Sequence, residues 1–293
     1  MPSTPKRNSP SRMAEAATAV RAAHHLHEQG AIFDDPYAIH LTSAGWRFIA
    51  KNQRLYHFIA KKLLKVLRPV HGQVLARSRF TEDRLIDAVS AGITQYVILG
   101  AGFDSFALRH QDLSSNLKIF ELDHPGTQQL KKSRLKAMGI IPPDTLTYLP
   151  IDFERENINQ VLGNSEFSHT QPTFFSWLGT VPYLTQEVVF ETLNNLAHSQ
   201  ASGSELIFDY ANTKITSEDQ PAVDKLMKFT QRRGEPLITQ FDASKINPKL
   251  NQLRFDVLEN VSQAEWRLHY YNNPQTADLR PLSAAYITHL RVR

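Results

Sequence analysis

Gly100 and Gly102 follow directly on the apolar run Tyr96-Val97-Ile98-Leu99, and a second apolar run ends in the acids Glu121 and Asp123. An apolar run feeding a glycine turn is the pattern of a strand buried on both faces, whose end must reach backbone angles closed to other residues. Glycine there also lets a ligand approach the main chain, because no Cβ stands in the way. An acid about 20 residues beyond such a turn is placed to take the hydroxyls of a ribose, so the two features together read as a Rossmann-like nucleotide site. The dinucleotide fingerprint has a third glycine, and here Ser105 occupies that position. Close helix packing beneath a pyrophosphate is therefore not expected, and a ligand with an adenosine but no pyrophosphate fits better.

The elements that must position these residues follow from the punctuation of the chain. Strands are expected at 96–100, 118–122, 146–150, 173–178 and 205–210, with helical stretches between them that include 125–138 and 186–199. Such alternation predicts an α/β fold with a parallel sheet, helices on both faces and right-handed connections. The tail predicts helices near 221–232, 242–251 and 263–269 and strands near 254–258 and 284–292, the strands closing as an antiparallel pair. Ahead of the sheet, an alanine-rich helix at 11–29 stops at Gly30. A second helix at 46–67, with Phe48, Ile49, Leu55, Phe58, Ile59, Leu63, Leu64 and Leu67 at helical spacing, ends at Arg68-Pro69. A third, at 74–91, carries Arg77 and Arg79. The chain accordingly divides into a disordered 1–10, with three prolines, and a single domain at 11–293. Within it, 11–70 forms a helical cap over the carboxyl edge of the sheet and 71–293 the core.

Composition narrows the chemistry. With 293 residues, 41% of them hydrophobic, the chain can bury a sizeable core. It has no cysteine, so disulfides, thiol nucleophiles and thiolate metal sites are excluded. His24 and His25 are adjacent and point about 100° apart on their helix, and His27 does not complete a ligand set, so no metal is expected. The net charge of +4 is small and its basic residues are dispersed, which does not call for a nucleic-acid surface. No run is long enough to span a bilayer and the N-terminus lacks the apolar segment of a signal peptide. A cytoplasmic protein without membrane partners is expected.

Several further motifs fall in one order along the chain: Ala76-Arg77-Ser78-Arg79, Leu99-Gly100-Ala101-Gly102-Phe103-Asp104-Ser105, Phe120-Glu121-Leu122-Asp123-His124-Pro125 with Lys131 or Lys132 beyond it, Asp152-Phe153, Trp177-Leu178-Gly179-Thr180-Val181-Pro182-Tyr183-Leu184, and Arg233-Gly234-Glu235-Pro236. On these the sequence resembles the leucine carboxyl methyltransferase family, and especially its bacterial branch of S-adenosylmethionine-dependent O-methyltransferases, over about residues 12–293. The resemblance implies a class I methyltransferase, Rossmann-like sheet, mostly parallel with a terminal antiparallel strand, and S-adenosylmethionine as cofactor. It implies methyl transfer to a carboxylate of a small molecule, with a hydroxyl or a protein C-terminal carboxylate as further acceptor classes. By the same resemblance Arg77 pairs with the methionyl carboxylate, with Arg79 the second candidate, and Gly100 and Gly102 admit the methionyl part. Asp123, with Glu121 one pleat away, takes the ribose hydroxyls, and Asp152 and Phe153 lie beside the adenine.

One position departs from the family pattern. Many relatives carry a glutamate five residues before the tyrosine that matches Tyr183, and here Leu178 stands there. The aromatic faces of Trp177 and Tyr183 can attract a sulfonium in its place. A carboxylate acceptor needs no general base, whereas a hydroxyl acceptor does, and His124 is the nearest candidate. Two other readings stand beside the methyltransferase. One is a nicotinamide-dependent oxidoreductase, which Ser105 disfavours, and the other a non-catalytic nucleotide-binding module, which Leu178 keeps open.

Overall fold

The fold is that of a computed structural model, which describes residues 10–114, 116–266, 270–271 and 274–293. The expected disorder of the first ten residues falls almost wholly outside them. Seven strands, β1 (Gln95–Leu99), β2 (Lys118–Asp123), β3 (Leu146–Pro150), β4 (Thr173–Trp177), β5 (Glu205–Ala211), β6 (Phe255–Ser262) and β7 (Ala285–Val292), form one sheet. Their order is β3-β2-β1-β4-β5-β7-β6. The first five run parallel, and β7 lies antiparallel between β5 and β6.

The sheet is covered on both faces, which is why its strands read as nearly unbroken apolar runs. Because side chains alternate along a strand, Val97, Leu99, Phe120, Phe175, Trp177 and Phe208 enter one core cluster. Tyr96, Ile98, Ile119, Phe174 and Ile207 enter the other. The strand order reverses at β1, between β2 and β4, and in sheets of this kind the crevice outside the carboxyl ends at that point receives ligands.

Ahead of the sheet come α1 (Arg12–Glu28), α2 (Ala38–Leu41), α3 (Ala44–Lys51), α4 (Gln53–Phe58) and α5 (Arg68–Ser90). The single helix expected at 46–67 is broken. Asn52 is extended and its side chain caps α4 by accepting from Leu55 N–H. The chain then widens into a π turn at Ile59–Leu63 and tightens into a 3-10 turn at Lys65–Leu67. Each break rotates the apolar face, so Phe48, Phe58 and Leu63 end up exposed while Leu67 is buried. Pro69 does not stop a helix but sits in the first turn of α5, where a missing N–H costs nothing. The third helix therefore begins six residues earlier than its expected start at Val74.

Behind β1 lie the short α6 (Phe106–Arg109) and α7 (Gln111–Ser114), followed by α8 (Pro125–Ala137), α9 (Ile158–Gly163), α10 (Gln186–Ser199), α11 (Gln220–Arg232) and α12 (Ala243–Gln252). In the tail, the helix expected at 263–269 is a 3-10 turn over Gln263–Trp266, and its remainder lies outside the described residues. Ion pairs tie the N-terminal helices to the rest. Arg68 donates to both Glu28 and Asp278, and Arg109 to Glu82. Burial alone would raise the carboxyl of Glu82, but the Arg109 guanidinium holds it below its ordinary value.

Candidate active site

The site is built from the carboxyl ends of the parallel strands. After β1 the backbone turns through Gly100 at φ +68° and Gly102 at φ +55°. A Cβ on Gly100 would stand 2.1 Å from Thr180 Oγ1, so the close approach of the β4 loop requires glycine there. The N–H groups of Gly100 and Ala101 both donate to the carbonyl of Leu122, at 2.8 and 3.1 Å, which fixes the turn against β2. At the end of β2, Asp123 closes the second link. Its Oδ2 accepts from Gly102 N–H and its Oδ1 from His124 N–H, the latter at 2.6 Å. Burial pushes the Asp123 carboxyl above its ordinary value against the pull of those two donors.

Helix α1 lies across the glycine turn, with Ala14 Cβ 3.2 Å from where a Cβ on Gly102 would be. It is held there by Arg21, which donates to Phe103 O at 2.7 Å and to Asp35 at 2.9 Å. Its N-cap, Ser11, donates to Glu235, which also accepts from Arg12 N–H at 2.8 Å.

On the opposite wall Arg77 of α5 donates to Asp209 of β5 at 2.8 Å. The other oxygen of Asp209 accepts from Gly179 N–H at 2.5 Å. A Cβ on Gly179 would meet the Arg77 guanidinium at 2.5 to 3.0 Å, so the loop after β4 is glycine where the arginine lies on it. Asp209 is fully buried and Arg77 mostly so, which makes this an anchored ion pair, with the arginine at the cleft wall, rather than a loose surface contact.

These walls enclose a cleft of about 1530 Å³. Of the residues singled out in the sequence, Arg77, Gly100, Gly102, Asp123, His124, Asp152, Phe153, Leu178 and Tyr183 line it. Arg79, Glu121 and Trp177 do not. Arg79 points outward and pairs with Asp83 along α5. Glu121 lies two residues deeper in β2, about 7 Å along the strand from Asp123, where it accepts from Lys131 at 2.5 Å in a fully buried pair. Burial pushes the Glu121 carboxyl up to about 7, with the Lys131 ammonium pulling it back. Trp177 is wholly buried beneath the cleft floor, its ring centroid 6.3 Å from that of Phe153.

His124 serves as the N-cap of α8, its Nδ1 accepting from Gly126 N–H at 3.2 Å. That bond assigns the ring proton to Nε2, which leaves a donor rather than a base on the outer edge of the ring. Asp209 was not singled out in the sequence, and Gly179 entered only as part of the motif Trp177–Leu184, without a role. The signal for Asp209 is an acid inside the apolar run Leu206-Ile207-Phe208-Asp209-Tyr210, because a buried charge in a central strand needs a partner. Among the described residues no group of three or more metal-ligating side chains is assembled, and no helix is long and apolar enough to cross a membrane.

Comparison with known proteins bears on the family and the fold. The profile of the family described as leucine carboxyl methyltransferase matches residues 14–197. YktD of Bacillus subtilis, classed among the S-adenosyl-L-methionine-dependent methyltransferases, is 34% identical over 201 residues. That match covers 68% of this chain and 66% of the relative, just under two thirds of the latter's length. A protein of Mycolicibacterium paratuberculosis classed in the same way is 32% identical over 220 residues, covering 74% of this chain and 70% of that one. Among solved structures, a methyltransferase-class protein from Thermobifida fusca superposes with a TM-score of 0.57 at 16% identity, covering 98% of this chain and 97% of that one. A DUF574 family protein from Streptomyces avermitilis superposes at 0.62 with 13% identity, over 94% and 97%. At such identities the two structures speak for the fold alone. With the family profile spanning well over half of its residues, the chain belongs to the leucine carboxyl methyltransferase family.

Proposed function

We propose that the protein is an S-adenosylmethionine-dependent O-methyltransferase that acts on a carboxylate of a small molecule. The observation that carries this reading is the conjunction of the glycine turn and Asp123 on one wall with the buried Arg77–Asp209 pair on the other, in one cleft. The residues fit the cofactor. A Cβ at Gly102 would intrude between α1 and the turn, Arg77 offers a charged donor for a carboxylate, and Asp123, at the end of β2 and lining the cleft, is the ribose candidate. Asp152 and Phe153, at the end of the same cleft wall, are the adenine candidates.

S-adenosylmethionine supplies, when bound, an electrophilic methyl group whose bonding pair returns to sulfur as the acceptor oxygen bonds the carbon. The protein's share is to hold both partners and keep water out. Helix α1 covers the glycine turn, and Asp209 ties Arg77 to the loop after β4, so each wall is held by contacts within the chain. Leu178 lines the cleft and packs on the second core cluster, which makes this part of the wall apolar where many relatives carry a glutamate.

Asp123→Ala is expected to weaken S-adenosylmethionine binding by about 1–3 kcal/mol, the range for stranding buried polar partners. Here the stranded donors are the Gly102 and His124 N–H groups and the ribose hydroxyls. Calorimetric titration reads this directly, and unchanged affinity would remove Asp123 from the ribose site. The acceptor class is tested by the pH dependence of transfer. A carboxylate is ionised throughout the neutral range and His124 is not placed as a base, so the rate at saturation is expected to be flat from about pH 6 to 9. A rate that climbs through neutrality and loses that slope in His124→Ala would instead assign a hydroxyl acceptor.

A further inference from the structure

The cleft is larger than its cofactor half requires. Single small-molecule sites occupy about 300–1,000 Å³, and this one reaches about 1530 Å³. Helix α5 runs along its length. Arg77 stands at the cofactor end, and His71, Val70 and Leu67 line the cleft toward the helix N-terminus. Six residues of helix place His71 about 9 Å from Arg77 along the axis. The walls around that far end come from three separate elements: Ile59 and Leu64 of the π and 3-10 segment, Val70 of α5, and Val223 and Met227 of α11. Lys225 of α11 donates to Leu63 O at 3.0 Å, which ties α11 to the π turn. The far end is therefore an apolar-lined chamber with Met227 at its solvent edge.

His71 differs from its neighbours. It has no hydrogen-bond or ion-pair partner among the described residues, although it lines the chamber. Burial and the Arg68 guanidinium push its imidazole down to about 4, while the Glu28 and Asp278 carboxylates that face this region are engaged by Arg68. At neutral pH it is an uncharged ring with one N–H to give and one nitrogen to receive.

We propose that the acceptor is an acid with an extended apolar body, its carboxyl group oriented by His71 and its body lying in the chamber between α5, α11 and the π turn. This rests on the methyltransferase reading of the same cleft and names the substrate class within it. His71 is a positioning residue in this arrangement, since a carboxylate already carries its nucleophilic pair.

The test is calorimetric and does not depend on turnover. Protein saturated with S-adenosylhomocysteine is titrated with hexanoate, octanoate and decanoate, with the matching alcohols, and with an apolar tripeptide bearing a free C-terminus. Affinity for the acids is expected to rise about fourfold per methylene, as burial of each group in an apolar chamber predicts. His71→Ala is expected to weaken every acid about tenfold while leaving the increment per methylene intact, and His71→Gln to recover part of the loss. Val70→Phe, which fills the chamber, is expected to flatten the increment while S-adenosylhomocysteine still binds, which also shows that the variant is folded. Equal affinity at all chain lengths, or a tripeptide that binds more tightly than decanoate, would overturn the proposal. Alcohols that match the acids at every length would overturn the acid reading and leave the apolar chamber standing. Should S-adenosylhomocysteine fail to bind, the same acid series on the bare protein still reads the chamber.

Discussion

Asp209→Ala is expected to lower the unfolding free energy by about 3–5 kcal/mol, the range for removing one partner of a buried ion pair. The loss has two sources. The Arg77 guanidinium is left mostly buried without its counter-charge, and the N–H of Gly179 loses the oxygen to which it donates. Because Gly179 lies against the guanidinium, the loop after β4 and the arginine are expected to loosen together, and cofactor binding should fall with stability. Asp209→Asn keeps an oxygen for Gly179 and separates the two sources: it should lose the charge pairing and retain much of the loop. Urea unfolding of the two variants decides this, and equal stability of wild type and Asp209→Ala would show that Arg77 is held by other contacts.

Gly72→Ala is expected to be the most damaging single-methyl change in the helices, costing about 3 kcal/mol, at the upper end of overpacking effects. A Cβ at Gly72 would stand 1.6 Å from the carbonyl oxygen of Leu279, and a backbone carbonyl cannot rotate aside as a side chain could. Either α5 or the 3-10 turn at Pro274–Leu279 must move. The Tyr271 hydroxyl, which donates to Gly72 O at 3.0 Å, would be strained by the same shift. The contrast is Gly45→Ala, where a Cβ meets nothing within 4 Å and a helical alanine should be neutral or mildly stabilising. A Gly72→Ala variant as stable as Gly45→Ala in urea would mean that α5 and the turn separate at little cost.

The sheet was legible because its signals are local. Runs such as Tyr96-Val97-Ile98-Leu99 are apolar on both faces, as a covered parallel strand must be, and Gly100 and Asp123 mark where two such strands stop. The glycine turn and its acid were legible for the same reason, being separated by only 21 residues. The corner made by Arg77, Gly179 and Asp209 was only partly so. Arg77 and Asp209 are 132 residues apart and meet because α5 packs on the sheet face formed by strands in the order β1-β4-β5, which no local pattern announces.

The segment ahead of α5 misled for a physical reason. Its apolar residues recur at helical spacing, yet Asn52 and the π turn interrupt the register, so periodicity across a break no longer reports one face. Glu121 and Trp177 fall near the site in sequence but below it in space. Glu121 sits two residues short of the end of β2, and Trp177, although it ends β4, turns its ring into the first core cluster, so nearness in sequence carried neither side chain into the crevice.

The central claim is that this cleft takes an adenosyl sulfonium, and calorimetric titration of the purified protein tests it most directly. S-adenosylmethionine and S-adenosylhomocysteine are each expected to bind with one-to-one stoichiometry, and NAD to give no binding heat, since Ser105 stands where a pyrophosphate-binding turn has its third glycine. Binding of NAD, with no heat from either sulfur ligand, would contradict the account.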